Sequence, residues 1–398
     1  MATTSVPSID LLSAASFRGG HPEAQYAWLR EHDPVHWHDE PGGRGFWAVT
    51  RYEDVRAVGR DAATFSSEPT IMIPDGDGLE VGDHKMMLTM DPPRHGAYRR
   101  TIVSSFIPRA ARAMRPRIEA IAGEIVQGVV GRETFDLVED VAGLMPSYVI
   151  ADMLGIPRPD GVALYELTET IHAAPGSVPP DAAAEAVRAM FEYASGVWAD
   201  KCAHPGPDLA TTLVQAEVDG APLDEIDFEL FFLLLVDAGG DTTRNLVAGG
   251  MDALFDDPDE LARLRADVDG LLPTAVEELL RWVSPVVYMR RTATRPTELG
   301  GRAIAAGDKV VMYYGAANRD PAHFAEADRL DLGRAPNDHV AFGGGGPHFC
   351  LGAHIARVEI EALLRELLDR LPGVHRAGPT EWLASSFISG PAHLPARG

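Results

Sequence analysis

Apolar and polar positions along the chain show two periodicities, a period of two residues that is typical of strands and a period of 3.6 residues that is typical of helices. Residues 35–38 and 46–49 flank a glycine-rich turn, a pattern that predicts a β-hairpin. Helical spacing follows over residues 52–59 and dominates from residue 94 to about residue 266. A last long helix is predicted from residue 353 to about residue 371, so the chain is expected to be mostly helical.

Shorter patterns interrupt the helices. Strand spacing is found at residues 297–304 and 309–313, whereas residues 65–88 and 319–346 are rich in proline and glycine and predict loops. A long loop inside a compact domain is often functional. No shift in composition marks a boundary, so we expect a mainly α fold with small β-sheets in a single domain, residues 1–398.

The longest helix is expected to begin near Pro222, because proline suits a first helical turn, and to end near Phe255. At 1.5 Å per residue it would be roughly 50 Å long. Its most apolar run, residues 230–236, is far shorter than the roughly 18–20 residues of a membrane span.

Charge excludes several classes of partner. The chain has 59 acidic and 35 basic residues and a net charge of −24, which disfavours nucleic acids and anionic membrane surfaces. Residues 1–12 contain no basic residue and no apolar core, so no secretory signal is expected there. Two cysteines, Cys202 and Cys350, are too few for a disulfide framework, and we expect the protein in the reducing cytoplasm.

The first chemical motif is the glycine-rich segment from Phe342 to Gly352, which contains Cys350 just before the last helix. Amide groups and the dipole at a helix start favour a thiolate, which is a nucleophile or a metal ligand. The alternative is a glycine turn followed by an inert buried cysteine. A phosphate cradle is disfavoured, because no Gly-Lys-Ser or Gly-Lys-Thr follows the glycines.

The second motif, residues 238–243 with the sequence Ala-Gly-Gly-Asp-Thr-Thr, lies inside the longest predicted helix. Each glycine in a helix interior costs about 1 kcal/mol relative to alanine, so a pair suggests a surface opened for a ligand. Asp241 and Thr242 would then form an acid–alcohol pair for proton delivery. The alternative is a helix crossing at the glycines with solvated polar residues.

Two further motifs have ordinary explanations when taken alone. Glu278 and Arg281, three apart, share a helix face that Pro273 is expected to open, and most such pairs are exposed. His95 and Arg99 follow two prolines at the start of another helix and could hold an anion. From residue 92 to residue 117 there are seven arginines and no acid, which forms either a basic patch or a solvated face.

Taken in order, Asp-Pro-Pro-x-His-x-x-x-Arg, Ala-Gly-Gly-Asp-Thr-Thr, Glu-x-x-Arg and Phe-Gly…His-x-Cys-x-Gly resemble the cytochrome P450 family over essentially the whole chain. The resemblance implies that family's triangular prism, with haem b (iron protoporphyrin IX) between the long central helix and the final helix. It implies a monooxygenase that inserts one atom of O₂ into a C–H bond of a hydrophobic molecule. Cys350 would then be the thiolate ligand of iron, which favours O–O cleavage.

Other roles follow from the same resemblance. Asp241 and Thr242 would deliver protons, and Gly239 and Gly240 would leave room for O₂ and substrate. Glu278 and Arg281 would form a structural ion triad with a later arginine, for which Arg334 is the match. The cofactor-binding residues would be His95, Arg99, Arg291 and His348 at the haem propionates, with Phe342, Gly352 and Gly239 around the haem, and Arg290 as the alternative to Arg291.

The chain departs from the family pattern at one place. Phe342 and Cys350 are eight positions apart, one more than is usual. The additional glycine resembles a subgroup that acts on steroids and methyl-branched lipids. The predicted pocket is apolar and consists of Ile73, Met87, Leu234, Ala238, Val286, Val287, Phe387 and Ile388. A steroid, terpenoid, lipid or polyketide would suit it.

The chain is too short to hold a reductase as well, so a separate ferredoxin or flavodoxin is expected to supply electrons. In the family the arginine patch lies on the haem face opposite the distal pocket, and we expect it to dock an acidic redox partner. Other haem proteins, such as a peroxide-using enzyme or a gas sensor, have no need of an acid–alcohol pair. A thiol nucleophile with His348 or His354 as its base leaves the other motifs unexplained.

Overall fold

The computed structural model describes residues 8–76, 80–171 and 178–398. Its α-helices are α1 (Glu23–His32), α2 (Tyr52–Arg60), α3 (Arg94–Ile102), α4 (Pro108–Gln127), α5 (Leu144–Leu154), α6 (Arg158–Ile171), α7 (Ala182–Ala203), α8 (Leu209–Val214), α9 (Glu225–Asp256), α10 (Pro258–Ala266), α11 (Val268–Val283), α12 (Tyr314–Asn318) and α13 (Ala353–Arg370). Short 3₁₀ segments lie at Ala14–Phe17, Met87–Thr89 and Val103–Ser105, and a π-helical turn at Val138–Ala142.

The strands are short. They are β1 (Val35–His38), β2 (Phe46–Val49), β3 (Phe65–Ser66), β4 (Glu80–Val81), β5 (His84–Lys85), β6 (Phe135–Asp136), β7 (Glu217–Val218), β8 (Ala221–Pro222), β9 (Tyr288–Ala293), β10 (Thr297–Leu299), β11 (Arg302–Ile304), β12 (Lys309–Tyr313), β13 (His375–Arg376), β14 (Glu381–Trp382), β15 (Pro391–His393) and β16 (Pro395–Arg397). The prediction of a mainly α fold with small sheets is confirmed.

The chain divides into two compact units. The first comprises the described parts of residues 1–78, 249–350 and 381–392, and the second those of residues 79–248, 351–380 and 393–398. The expectation of a single domain stays a prediction.

A five-stranded sheet in the order β1-β2-β12-β9-β3 organises the first unit. The predicted hairpin forms its edge, with Val35 opposite Val49, and β12 joins β2 in parallel and β9 antiparallel. Apolar side chains of β12 are fully buried. Gly249 and Gly250 let α9 approach α11, because a Cβ atom at Gly249 would lie 2.9 Å from Val283. Val340, which lies just before the cysteine-containing segment, is buried in the apolar cluster of this sheet.

The second unit is built from helices. Leu363, Leu364 and Leu367 bury one face of α13, which packs on α4. Small sheets, β13-β16-β6, β4-β5 and β7-β8, lie at its periphery. Among the described residues, the structure holds no helix with the length and apolarity that crossing a membrane demands.

Two predicted helix starts are wrong. Pro222 lies in β8, and α9 begins three residues later with Glu225 and Asp227 in its first turn, where acidic side chains suit the helix dipole. Pro273 lies inside α11, which begins at Val268 because the side chain of Asp267 caps it by accepting a hydrogen bond from the amide of Gly270 at 2.9 Å.

One of the two predicted loops has more structure than expected. Residues 65–88 contain β3, β4 and β5, and residues 77–79 of that loop lie outside the described residues. The other predicted loop, residues 319–346, contains no helix or strand, as expected.

Candidate functional site

Cys350 ends a glycine-rich loop of the first unit and is half-buried. Its amide donates a hydrogen bond of 3.0 Å to the carbonyl of Phe342, which closes the loop. Gly343, Gly345 and Gly346 have φ angles of 99°, 97° and 77°, in the left-handed region that glycine adopts without strain. The glycine run therefore fixes the main chain that carries the cysteine.

The same loop lies directly against the main chain of α2. A Cβ atom on Gly344 would approach the carbonyl oxygen of Val55 to 2.7 Å, and one on Gly346 would approach that of Gly59 to 2.3 Å. No side chain fits at either position. The eight-residue interval, which departs from the common pattern, is thus accommodated by glycines that pack on a helix.

Arg291 and His348 also belong to the first unit. His348 Nε2 lies 3.0 Å from the hydroxyl of Ser67. Arg290 donates to Asp75 Oδ1 at 3.1 Å and to carbonyls of the chain before it. Neighbouring strand residues face opposite sides of a sheet, so Arg291 faces away from these contacts. Of the two arginines left open by the sequence, the contacts of Arg290 favour Arg291 for an anionic ligand.

His95 and Arg99 lie one turn apart on α3, in the second unit. His95 is buried and Arg99 half-buried. The helix begins directly after Pro93, as the sequence predicts. Both side chains therefore share one face of a short helix.

The acid–alcohol pair lies in the middle of α9. Thr242 Oγ1 donates to the carbonyl of Ala238 at 3.1 Å, so its hydroxyl is held against the helix main chain. Asp241 is largely buried, with 13% of its side chain exposed. A Cβ atom on Gly239 would meet no atom within 4 Å, so the helix surface is open at this glycine.

Gly240 does not share this open space. A Cβ atom there would lie 2.6 Å from the ring of Tyr165, which occupies the gap. The expectation that both glycines make room for a ligand is therefore wrong for Gly240, because an aromatic side chain of α6 fills that side.

Sequence reasoning missed the partners of Asp241. The hydroxyl of Tyr165 donates to Asp241 Oδ1 at 2.6 Å, and Arg244 donates to the Tyr165 oxygen at 2.7 Å and to Glu169 Oε1 at 2.6 Å. Burial and the charge of Asp241 raise the pKa of Tyr165, and burial raises the pKa of Glu169. The i,i+3 spacing of Asp241 and Arg244 is a local signal, whereas Tyr165 has none.

Glu278 and Arg281 are both fully buried in α11. The guanidinium of Arg281 donates to both carboxylate oxygens of Glu278, at 2.7 and 2.8 Å. Arg334 adds a hydrogen bond of 3.0 Å, and so does Asn337, which the sequence did not indicate. The structure thus brings the three expected residues together, in a buried network rather than an exposed pair.

Five of the expected pocket residues lie together in the first unit. Val286 forms an antiparallel bridge with Ile388, and the amide of Val287 donates to the carbonyl of Phe387 at 2.8 Å. Ile73 and Val287 are buried in one apolar cluster, against which Phe387 packs.

The other three lie in the second unit. Met87 and Leu234 are buried, whereas Ala238 is exposed on α9 beside Gly239. The surface of α9 therefore has no bulky side chain at residues 238 and 239.

The arginine patch of residues 92–117 is divided in the structure. Arg115 and Arg117 pair with carboxylates of α13 and α5 at 2.9 and 2.6 Å. Arg109 and Arg112 are exposed on α4, and within the described part of the chain neither forms an ion pair. Only part of the patch is therefore a solvated basic surface.

Known proteins match this chain over its length. The family model described as Cytochrome P450 matches residues 185–372. A methyl-branched lipid omega-hydroxylase of Mycobacterium tuberculosis is 40% identical and covers 94% of this chain and 90% of its own. A steroid C26-monooxygenase of Mycolicibacterium smegmatis is 33% identical, over 99% and 94%. A solved Mycobacterium marinum cytochrome P450 in complex with pseudoionone is 37% identical, covers 100% of both chains and has a TM-score of 0.91.

Proposed function

The chain belongs to the cytochrome P450 family, and from that premise we propose that it hydroxylates a methyl-branched lipid or a steroid-like molecule with electrons from a separate ferredoxin or flavodoxin. The family makes the protein a monooxygenase of hydrophobic substrates, with haem b as its cofactor. The main support for this function is the loop that fixes the main chain of Cys350, because it holds a sulfur atom that could bind iron in one position.

When bound, the haem supplies an iron centre at which O₂ binds and is activated. We propose that Cys350 is its sulfur ligand, with Phe342 and Gly352 in the surrounding segment. The donor set suits an iron porphyrin with two carboxylates, since Arg291, His348, His95 and Arg99 are cationic or hydrogen-bonding groups for carboxylates. Gly239 and Gly352 suit it as well, because a Cβ atom at either would enter empty space.

Asp241 and Thr242 are proposed as the proton-delivering pair. The hydroxyl of Thr242 is fixed by its bond to Ala238, and Asp241 occupies the preceding position of the same helix. A titratable acid and a hydroxyl in one helical turn supply the two kinds of group that proton delivery needs. The open surface at Gly239 would leave room beside this segment for a small ligand of the haem iron.

The substrate class rests on the apolar residues and on the named relatives. Ile73, Val286, Val287 and Phe387 present only hydrocarbon surface, which suits an aliphatic chain or ring system. The relatives with 40% and 33% identity are named for methyl-branched lipids and for steroids. Branched hydrocarbon is the chemistry that both names share.

The electron donor is proposed to dock on the exposed arginines of α4. Arg109 and Arg112 are exposed positive charges on a chain whose net charge is −24, so they attract an acidic protein locally. Neither cysteine forms a disulfide, which suits the reducing cytoplasm where such donors act.

The cysteine assignment is tested by the carbon monoxide difference spectrum of the reduced protein. Cys350→Ser is expected to abolish the absorption band of thiolate-ligated haem, whereas Cys202→Ser, the matched control, keeps it. A wild-type spectrum in the Cys350→Ser variant would overturn the assignment.

The substrate assignment is tested by titrating methyl-branched fatty acids and steroids against the haem absorbance, followed by turnover with ferredoxin, its reductase and labelled O₂. One labelled oxygen atom in the product is expected. Binding shifts with straight-chain lipids or polyketides only would contradict the proposed class.

The docking surface is tested by reversing its charge. Arg109→Glu together with Arg112→Glu is expected to slow reduction by ferredoxin and to weaken its dependence on salt, since opposite charges steer association. Arg18→Glu, an exposed arginine outside the patch, serves as the control. If the double variant is reduced by ferredoxin as fast as the wild type, this surface is excluded as the docking site.

A further inference from the structure

The carboxyl of Asp241 is held by a side chain from another helix. The hydroxyl of Tyr165, on α6, donates to Asp241 Oδ1 at 2.6 Å. Tyr165 is 8% exposed, and 13% of the Asp241 side chain is exposed, so solvent competes little for this bond. A short hydrogen bond to an ionised carboxylate is stronger than a neutral one, and it restricts the rotation of the acid.

Gly240 makes this contact possible. The ring of Tyr165 lies where a side chain of residue 240 would be, 2.6 Å from the position of its Cβ atom. Any larger residue would push the ring off α9 and break the bond to Asp241. The second glycine of the helix motif therefore makes room for the ring of Tyr165 and not for a ligand.

Arg244 joins the pair to the end of α6. It donates to the Tyr165 oxygen at 2.7 Å and to Glu169 Oε1 at 2.6 Å, and it lies 3.8 Å from Asp241 Oδ1. The tyrosine oxygen thus accepts from a cation and donates to an anion. This polarity leaves its proton directed at Asp241, and burial raises the pKa of Tyr165 so that the hydroxyl stays protonated.

We propose that Tyr165 is a positioning residue for oxygen activation: together with Arg244 it holds the carboxyl of Asp241, so that proton delivery by Asp241 depends on the seating of α6 against α9. The inference rests on the proposed role of Asp241.

The chemical consequence concerns proton affinity as well as position. A hydroxyl that donates to a carboxylate favours its ionised form. Without the hydroxyl, Asp241 holds its proton more tightly and points less reliably toward its acceptor. Substrate affinity does not depend on this bond, because none of the expected pocket residues takes part in it.

Tyr165→Phe removes the hydroxyl and keeps the ring. We expect roughly three- to tenfold lower kcat with KM unchanged, and an acid limb of the pH profile displaced to higher pH. Tyr193→Phe is the matched control, because Tyr193 donates to Asp160 at 2.7 Å elsewhere in the second unit. It is expected to keep the wild-type kcat and pH profile.

A second measurement needs no turnover. A double-mutant cycle with Tyr165→Phe and Asp241→Asn on the unfolding of the holoprotein is expected to show coupling of about tenfold in the unfolding equilibrium constant. Gly240→Ala approaches the contact from the other helix and should reproduce the kcat and pH effects of Tyr165→Phe. This variant keeps the test open if Tyr165→Phe folds poorly.

The outcomes are separable. If the wild-type protein gives no thiolate-haem spectrum, the proposed function fails. If that spectrum and wild-type turnover are intact but Tyr165→Phe matches Tyr193→Phe in pH profile, the positioning role is overturned. Coupling in unfolding without any change in the pH profile also overturns it, because the contact would then be structural only.

Discussion

Arg334 donates a hydrogen bond of 3.0 Å to the carboxylate of Glu278, from a segment without regular structure to a fully buried helix position. Arg281 occupies both oxygens of the same carboxylate from one turn further along α11. The amide of Asp331 also donates to it, at 2.9 Å. One carboxylate thereby ties the irregular chain before the cysteine loop to α11.

Removal of that carboxylate is expected to destabilise the fold strongly. Glu278→Gln leaves the buried guanidinium of Arg281 without its counter-ion, and breaking a buried ion pair costs about 3–5 kcal/mol. We expect a loss of this size in the free energy of unfolding in urea. The control is Glu277→Gln, which removes the charge of a half-buried neighbour that contacts His339 at 3.1 Å. It should lower the free energy of unfolding by about 1 kcal/mol or less. Equal losses would show that the network is not what anchors the segment.

Local signals explain which elements could be predicted. The hairpin at β1 and β2 and the last helix follow from alternation and helical spacing, and both are confirmed. The start of α11 was misplaced, because Pro273 is a weaker marker than the side-chain cap of Asp267. The start of α9 was misplaced, because Pro222 belongs to β8. Helix starts depend on such caps as much as on proline.

Contacts between distant parts of the chain explain what was missed. Arg334 was found through its motif, but Asn337, which binds the same carboxylate, has no motif. Tyr165 is 76 residues from Asp241, and no periodicity links the two. The role of Gly240 could not be separated from that of Gly239, since only packing tells an occupied gap from an open one.

Acid is expected to remove a stabilising contribution of Asp75. Partial burial opposes its ionisation, but hydrogen bonds from Lys309 and Arg44 and the charges of Lys309 and Arg290 lower its pKa to about 2. A lowered pKa stabilises the fold above the unfolded value of 3.8, and the contribution is lost as the pH falls through the folded value. Because 46% of the side chain is exposed, we expect Asp75→Asn to cost only about 1 kcal/mol at pH 7.

The measurement is the unfolding free energy of wild type and Asp75→Asn between pH 2 and pH 7. The difference should shrink below about pH 4 and vanish near the lower end. Asp338→Asn, at an exposed position, is the control and should show little difference at any pH. A gap that persists at the acid end would contradict the ionic origin of the effect.

Glu359 is expected to act in the opposite direction. It is buried in α13, and burial raises its pKa to about 7, although a hydrogen bond with Thr243 opposes the rise. The folded protein then binds a proton that the unfolded chain has lost above pH 4.5, so stability falls as the pH rises toward 7. Relative to Glu359→Gln, the wild type should lose about 3 kcal/mol of unfolding free energy between pH 5 and pH 8.

Urea unfolding at several pH values measures this difference. Glu298→Gln, at an exposed position, should track the wild type throughout. Parallel pH profiles for the wild type and Glu359→Gln would mean that the carboxyl is already ionised in the fold, against the expectation from its burial.

A comparison of Gly346, in the cysteine loop, with Gly301, outside it, separates the cost of steric contact from the cost of backbone strain. Gly346 and Gly301 share a φ angle of 77°, but a Cβ atom on Gly346 would lie 2.3 Å from the carbonyl of Gly59, whereas one on Gly301 meets nothing within 4 Å. Alanine in this region costs about 1–2 kcal/mol from strain alone. Gly301→Ala should show that cost only, and Gly346→Ala about 3 kcal/mol or more, because a main-chain carbonyl cannot move aside as a side chain does.

The second readout is the haem content of the purified protein. Gly346→Ala displaces the loop that carries Cys350 from α2, so a lower fraction of haem-loaded protein is expected, while Gly301→Ala, in the turn between β10 and β11, keeps the wild-type fraction. If both variants lose the same stability and retain haem equally, the contact of the loop with α2 does not fix the position of the cysteine. The hydrogen bond between Cys350 and Phe342 would then hold the loop in place.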